Sequence, residues 1–465
     1  MILQDHYVLL CEPGSEYIGH VTPPSGHGWA IAQSIYAYLK SHDLLGSVVA
    51  AGADGTVVNV GPDGGAIRYL EMLNGKPMHY FICMLHGNEL PFRALFYHYD
   101  GKTSGPETWS GPIGKDIKKS LQLLPVLEFQ AIPCDSFPVL PDDVMKDLSW
   151  DQCYLYHICR AIINGHVDDN LAAIEPGPAC VSRWNTLWSR ICRLYVATHR
   201  PSRQLTRLTT IIVRFSAPMW FHIKYHQFAH EGAKNVFKCL QLMKSLNSQE
   251  KSIAKKSIQR DVFFAHSDQI LLSMCTDEDI AVRRKAVKLI QRVREGVHEE
   301  PVDEATGGTA DEEDGSGDDT QDEEEADDEQ EISDEELVSE CEGEETPHYD
   351  LDPSIRRVVV PKLKCRAQSY HTMIDWACSL QSEPPFISTL SDQELEGVAD
   401  APLVVPLWKC HTQPVERGIR LLSDACLQVS CPEERDGYMR QRLYSRLQMP
   451  SFRAKQHYVF DNQDQ

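Results

Sequence analysis

Two short motifs near the start of the chain carry side chains suited to chemistry. Asp54 follows an apolar run that ends at Ala53, and the pair Cys83-x-x-His86 follows a second apolar run. A carboxylate at the end of a buried strand is costly to desolvate unless hydrogen bonds or a metal ion compensate it. Asp54 is therefore either a turn cap or part of an acidic metal site.

The Cys83-x-x-His86 pair allows two interpretations. Thiolate and imidazole groups bind zinc, and Cys410-His411 would supply a partner pair. The strand context instead favours a buried structural pair, because structural zinc ligands usually lie in loops.

Glu416 is a second acidic candidate, at the start of an amphipathic helix predicted over Val415–Ser430. It is a possible metal ligand. The alternative is that Glu416 caps the helix at the protein surface, because the positive end of the helix dipole favours an acid in the first turn.

A basic and aromatic stretch opens a predicted helix at Ser182–Ala197. Trp184 is either a core residue or a flat surface for base stacking. Arg190 and Arg193 either face DNA phosphates or belong to a solvated helix face. The same two readings apply to the lysines and arginines of 251–260 and 283–288.

These residues need a framework, and the first 128 residues predict an α/β one. Apolar runs predict strands at Tyr7–Leu10, Tyr17–Val21, Val48–Ala51 and His79–Leu85. Helical spacing predicts helices at Gly28–Lys40 and Gly64–Leu73. The Gly- and Pro-rich residues 97–115 predict a long loop.

Residues 148–297 predict a separate all-α region in which Pro201 and Pro218 separate helices. Its predicted helices are Asp151–Asn164, Ser182–Ala197, Arg203–Phe215, Glu231–Asn247 and Asp277–Arg294. Towards the end of the chain we predict helices at Tyr370–Leu380 and Val415–Ser430, with an extended piece at 404–408.

The net charge of −23 over 465 residues is concentrated in one segment. Glu299 to Glu345 holds 25 acidic residues and no Lys or Arg, which leaves 45 basic and 43 acidic residues elsewhere. We therefore expect residues 298–347 to be a disordered, solvated linker, with the alternative that this segment mimics the charge of DNA and lies over a basic patch. The remainder is expected to be close to neutral. The negative total charge of the chain therefore does not exclude nucleic-acid binding.

The 15 cysteines are odd in number and contain no Cys-x-x-Cys, and no signal peptide or long apolar run is evident. We therefore expect an intracellular, reducing compartment and no membrane span. No phosphate-binding loop, Gly-x-Ser-x-Gly or His-Glu-x-x-His is present, so other common chemistries are not indicated.

The order of these parts resembles the catalytic region of hAT-superfamily transposases, and more narrowly a group of transposase-derived invertebrate proteins. The phrases that carry the resemblance are Gly52–Thr56, Cys83–His86, Asn88–Arg93, Asp100–Pro106, the Arg183-Trp184-Asn185 element, Ala217–Phe221 and His411–Arg417. Together they cover nearly the whole chain.

The resemblance implies an RNase H-like mixed sheet interrupted by a large helical insertion. Residues 1–128 would be a partial core, 129–297 the insertion, and 348–465 the returning part of the core. In that fold three carboxylates hold two divalent metal ions, which prefer oxygen ligands and clamp a phosphodiester.

The resemblance also assigns roles to individual residues. Asp54 matches the second acid and Glu416 the third, as metal ligands and catalytic candidates. The first acid has no match, since Asp5 is the only Asp before Asp43. The residues implied at DNA are Cys83, His86, Arg183, Trp184 and Asn185, with Arg190 and Arg193 beside them.

We therefore predict a transposon-derived DNA-binding or interaction protein with an incomplete acidic metal site and without catalysis. The alternatives are an active DDE-type transposase or nuclease fragment that lacks its first strand, and a non-catalytic helical scaffold. The cofactor would be Mg²⁺ or Mn²⁺ in the active case and none otherwise. Expected partners are DNA and a second copy of the chain, in the nucleus, with no membrane or small-molecule substrate.

Overall fold

The fold is that of a computed structural model, which describes residues 5–61, 64–105, 108–179, 184–260, 267–296, 362–374, 383–429 and 431–448. Residues 1–298 and 352–465 form one compact unit. Strands and helices alternate at its start, and helices dominate afterwards, so the predicted mixture of α/β and all-α structure is confirmed at this level. The acidic segment 298–347 lies outside the described residues.

Short strands in the first 110 residues form three separate two-stranded sheets. The strands are β1 (Tyr7–Cys11), β2 (Glu16–Val21), β3 (Ala50–Ala53), β4 (His79–Ile82), β5 (Thr103–Gly105) and β6 (Thr108–Trp109). β1 and β2 pair antiparallel, as do β5 and β6, whereas β3 and β4 pair parallel. No ladder joins β1–β2 to β3–β4 in the described part of the chain, so one continuous mixed sheet is not confirmed.

Parallel strands need a crossover connection, and here it is helical. α1 (Gly28–Ser41) precedes β3, and α2 (Val57–Val60) and α3 (Ala66–Asn74) lie between β3 and β4. α3 ends at Gly75, whose φ of 66° is the left-handed conformation that glycine adopts at little cost. α1 packs against α3, and apolar residues of β2 and β3 contact the same layer through Ile18 and Ala51.

The remaining helices run from the end of β4 to the C-terminal part of the chain. They are α4 (Met84–Asp100), α5 (Pro112–Asp116), α6 (Asp142–Asp147), α7 (Trp150–Asn164), α8 (Asp169–Ala172), α9 (Trp184–Val196), α10 (Arg203–Ile211), α11 (Ala217–Tyr225), α12 (Gly232–Leu242), α13 (Ser248–Arg260), α14 (Ser267–Cys275), α15 (Ile280–Arg294), α16 (Asp392–Val398), α17 (Gln413–Gln428) and α18 (Pro432–Gln448). One large apolar core runs through α4, α7, α9 and the helices that follow.

The predicted long loop at 97–115 is wrong. α4 continues to Asp100, and the β5–β6 hairpin and α5 fill the rest. The buried carboxylate of Asp100 fixes this arrangement, because its oxygens accept hydrogen bonds from the N–H groups of Ile113 at 2.9 Å and Gly114 at 2.7 Å. These two N–H groups lie in the first turn of α5, where a helix leaves its amides unpaired.

The predicted break at Pro218 is also wrong. A widened π-helical turn, Ile212–Ser216, joins α10 to α11 in one continuous helical run. Proline lacks the N–H that an α-helix needs, and a local change of helical winding accommodates that loss. Asn88 of α4 donates to the Ser216 carbonyl at 3.1 Å and thereby ties α4 to this turn.

The C-terminal helices return to the first hairpin. Leu422 and Ala425 of α17 and Met439 of α18 pack on Val8 and Tyr17 of β1 and β2. The predicted helix at Val415–Ser430 is confirmed as α17. The predicted helix at 370–380 is not: only a single 3-10 turn, Tyr370–Thr372, forms there, and residues 375–382 lie outside the described residues.

Candidate functional site

The parallel pair β3–β4 brings two of the predicted site residues to one edge. Ala53 lies opposite Ile82, and the Cys83 N–H donates to the Ala53 carbonyl at 2.9 Å. Asp54 and Cys83 are the next residues after each strand. The carboxyl ends of parallel strands lie at one edge of their sheet, so the two side chains begin at that edge, called the acid edge below.

At the acid edge Asp54 caps a turn. Its Oδ1 accepts from the Thr56 N–H at 3.2 Å, from Thr56 Oγ1 at 2.8 Å and from Asn59 Nδ2 at 2.8 Å. These donors stabilise the turn that leads into α2, in the way short polar side chains commonly do. Of the two readings of Asp54, the turn cap is therefore the one that its contacts display.

Cys83 connects the acid edge to the C-terminal part of the chain. Its buried Sγ accepts a hydrogen bond from the Thr412 N–H at 3.4 Å, and the neighbouring Met84 N–H donates to the Cys410 carbonyl at 2.9 Å. Burial raises the pKa of the Cys83 thiol, so this cysteine stays a neutral thiol rather than a nucleophile.

α17 begins directly beside these contacts. Lys224 Nζ, which is almost fully buried, donates to Gln413 Oε1 at 3.0 Å and to Asp147 Oδ2 at 2.9 Å, and so holds the first residue of α17. Glu416 lies in the first turn of α17 and is exposed. Its Oε1 lies 3.5 Å from Thr412 Oγ1.

The charges of Asp54 and Glu416 affect the pKa values of residues at the acid edge. Besides burial, which is the main cause, the charge of Glu416 raises the pKa of Cys83. Burial lowers the pKa of His86 on α4, and the charge of Asp54 opposes that change. Asp54 and Glu416 therefore both act on the Cys83-x-x-His86 pair, from opposite ends of the chain.

Glu89 is a further acid at this place, and sequence analysis missed it. It lies one turn beyond His86 on α4. Burial raises the pKa of Glu89 to about 8, the charge of Glu416 contributes in the same direction, and contacts with the Trp220 indole and the Trp184 backbone oppose it. Helical spacing from His86 was the available signal, but α4 contains Pro91 and was not predicted as a helix.

The acid edge does not by itself form the metal centre that the resemblance implies. In the described ranges, no group of three or more His, Cys, Asp or Glu side chains is placed to hold a metal ion. The two pairs Cys83/His86 and Cys410/His411 are likewise not placed as a group that could hold zinc. Oδ1 of Asp54 is already occupied by its three donors, so only part of that carboxylate is open to a cation.

Trp184 belongs to the core. It is 4% exposed, and its ring centroid lies 5.8 Å from those of Phe92 and Phe96 and 6.3 Å from that of Tyr97. Edge-to-face packing of this kind stabilises the contact between α4 and α9 and leaves no ring face for a base. Asn185 Oδ1 accepts from the Thr186 N–H at 2.9 Å, and Arg183 lies outside the described residues.

Arg190 and Arg193 are buried, which corrects both surface readings of this helix. Arg190 is 4% exposed and donates to Glu175 Oε1 at 2.9 Å and to the Gly177 carbonyl at 3.0 Å. Arg193 is fully buried and donates to the Leu124 carbonyl at 2.6 Å. Both guanidinium groups hold loop carbonyls that precede α9, so neither reaches a phosphate nor lies on a solvated face.

Comparison of the chain with protein-family models, curated proteins and solved structures returns no match. The transposase resemblance therefore depends on the quoted motifs alone. Across the described ranges, no helix has the length and apolar character needed to cross a bilayer.

Proposed function

We propose that this chain is a transposon-derived protein of the hAT type that binds DNA and does not cut it. One observation carries the proposal. Asp54 follows β3 beside Cys83 at the acid edge, and the Thr412 N–H, which donates to Cys83 Sγ at 3.4 Å, immediately precedes the helix that carries Glu416 in its first turn. Acids so far apart in sequence meet at one edge in the RNase H-like arrangement that the motifs imply.

The element order supports the same proposal. The chain begins with a β-hairpin, a helix and the parallel pair β3–β4. A helical region follows, and then α17 begins beside the acid edge. A strand that would carry the first acid has no counterpart in the described ranges, where β1–β2 and β3–β4 stay separate. Two-metal chemistry needs ligands for both ions, so an edge with two of three acids would lose most of it.

The test uses the full chain and a DNA duplex with Mg²⁺ or Mn²⁺. Asp54→Asn is the informative variant, because an amide oxygen can keep the three turn contacts while the charge is lost. Glu416→Gln is its counterpart on α17. We expect salt-sensitive duplex binding and no cleavage by any of the three proteins. Cleavage by the wild type that both variants abolish would overturn the proposal.

Glu89 favours one alternative, an active nuclease. Glu89 adds a third carboxyl group beside Glu416. A metal ion bound at this place would compete with the proton that burial favours on Glu89. In that case Glu89→Gln would abolish Mg²⁺-dependent cleavage along with the other two variants. A chain that neither cuts nor binds duplex DNA would instead be a helical scaffold.

A further inference from the structure

α13 carries exposed lysines and no exposed acid of its own. Ala254 and Ile258 are buried against the core, whereas Lys251, Lys255 and Lys256 are exposed. The only acid of α13 is Glu250, which is fully buried and bound by Arg207. The charges that this helix exposes are therefore positive.

α15 repeats this pattern. Its buried stripe is apolar except for Arg283, and its exposed charged positions are Arg284, Lys285, Lys288 and Arg292. No Asp or Glu lies between Ile280 and Arg294. Helical spacing places these cations along one side of the helix.

A third basic stretch lies at 362–366. Lys362, Lys364 and Arg366 are exposed and alternate with Leu363, which is buried, and Cys365, which is half-buried. The alternation follows from an extended backbone, because Leu363 bridges Ile374 and the Lys364 N–H donates to the Met373 carbonyl at 2.6 Å. Residues 362–374 contain no acid.

Residues 362–374 lie beside the start of α15. The Tyr370 hydroxyl donates at 2.7 Å to Oδ2 of Asp277, three residues before α15, and Leu363 of the basic stretch bridges Ile374 of the same segment. The charge of Lys285 on α15 also contributes to the lowered pKa of His371, after burial. Burial raises the pKa of Cys365, and the charge of Lys255 on α13 opposes that change. The exposed cations of the three stretches are together called the basic surface below.

Among the described acids that border the basic surface, Asp277 and Asp279 are engaged in other contacts. Asp277 accepts from Lys234 Nζ at 2.9 Å and from the Tyr370 hydroxyl at 2.7 Å, and Asp279 caps α15 through the Ala281 N–H at 2.8 Å. Asp400 lies 3.9 Å from Arg284, in an exposed pair that contributes little. Glu278 is exposed beside them. The surface keeps an excess of positive charge, although the chain outside the acidic segment is close to neutral.

We propose that this basic surface binds the phosphate backbone of duplex nucleic acid by charge alone, separately from the acid edge. Lysine ammonium groups are point charges suited to phosphates, and neither α13 nor α15 contains an aromatic residue for base stacking. Backbone contacts position a duplex without reading its sequence. The choice of nucleic acid as the polyanion rests on the proposed function, whereas the surface itself does not.

The experiment measures binding of the full chain to two unrelated 20-base-pair duplexes over a range of salt concentrations. The test variant is Lys255→Gln/Lys256→Gln/Lys285→Gln/Lys288→Gln. The matched control neutralises four exposed lysines elsewhere, Lys40, Lys115, Lys118 and Lys146, in the same way. Circular dichroism and urea unfolding confirm that both variants are folded.

For the test variant we expect binding to both duplexes to weaken about tenfold or more, and the slope of log K against log salt to become shallower by about 3. The control should stay within about twofold of the wild type, since its lysines lie outside the basic surface. Equal affinity of the test variant and the wild type overturns this inference and leaves the proposed function standing. Failure of the wild type to bind either duplex overturns both, and lysine-dependent binding to anionic vesicles would then identify a different partner.

Discussion

The Thr412 N–H donates to the Sγ of Cys83 at 3.4 Å, although 329 positions of sequence separate the two residues. The contact joins the residue after β4 to the residue before α17. It fixes where α17 begins, and therefore where Glu416 lies relative to the acid edge.

Cys83→Ala tests this connection. The change leaves the Thr412 N–H without its acceptor and opens a small cavity, so we expect the free energy of unfolding to fall by about 1 to 3 kcal/mol. Hydrogen exchange of the Thr412 amide should also become faster. Urea unfolding measures the first effect, and Cys11→Ala, at an exposed cysteine, is the control and should change little.

Glu89→Gln tests the buried carboxyl on α4. The folded-state pKa of Glu89, about 8, lies above its ordinary value of 4.5, so the native state holds a proton that the unfolded state releases between these values. The free energy of unfolding of the wild type should therefore fall as pH rises from 4.5 to 8. That of Glu89→Gln should fall less over the same range. At pH 8.5 we expect the variant to be more stable by on the order of 2 to 4 kcal/mol.

Urea unfolding at pH 5 and pH 8.5 measures the Glu89 effect. Glu396→Gln, at an exposed position on α16, is the matched control. Parallel pH profiles for wild type and Glu89→Gln would show that this carboxyl ionises normally in the folded protein.

Arg207→Met tests the ion pair beneath α13. Burial alone would raise the pKa of Glu250, but hydrogen bonds from Arg207 and Tyr99 outweigh it and lower that pKa. Without Arg207 the carboxylate stays buried with no counter-charge from Arg207, although the Tyr99 hydroxyl and the Asn247 N–H still donate to it. We therefore expect a loss of about 3 to 5 kcal/mol at pH 7. The loss should shrink below pH 5, where Glu250 takes up a proton in the variant.

Thermal and urea unfolding at pH 7 and pH 4.5 distinguish this mechanism from simple loss of packing. Arg203→Met, at an exposed arginine on the same helix, should cost less than about 0.5 kcal/mol. A loss for Arg207→Met that does not change with pH would rule out the charge explanation.

Arg190→Met tests whether the buried arginines of α9 serve structure rather than DNA. Removing the guanidinium leaves the Gly177 carbonyl and Oε1 of Glu175 without the donor that Arg190 supplies, so we expect destabilisation by about 2 to 4 kcal/mol. Duplex affinity of the protein that remains folded should be unchanged. Arg200→Met, at an exposed position, should leave both stability and affinity close to those of the wild type.

Local patterns predicted the elements that have strong periodicity. α1, α7, α9, α15 and α17 begin and end within a few residues of the predicted bounds, because each buries one apolar stripe over several turns. α4 was missed because Pro91 and Gly87 interrupt its pattern, and its start was absorbed into the strand predicted at His79–Leu85. The contacts of α4 with Trp184 and Ser216 compensate for that weak local preference.

The site was predicted in part for a similar reason. An Asp after an apolar run and an acid in the first turn of a helix are visible in sequence, and Asp54 and Glu416 were found that way. The sequence does not indicate that Arg190 is buried, because its partners lie on loops that pack against it only in the folded chain. A charged residue on an amphipathic helix usually faces water, so sequence favoured the surface.

The covering of β1–β2 by α17 and α18 has a consequence for synthesis on the ribosome. The hairpin is translated well before the helices whose side chains bury Val8 and Tyr17. Its apolar face therefore stays uncovered until those helices have been made. A nascent chain that stops before Gln413 would expose that face to chaperones and proteases.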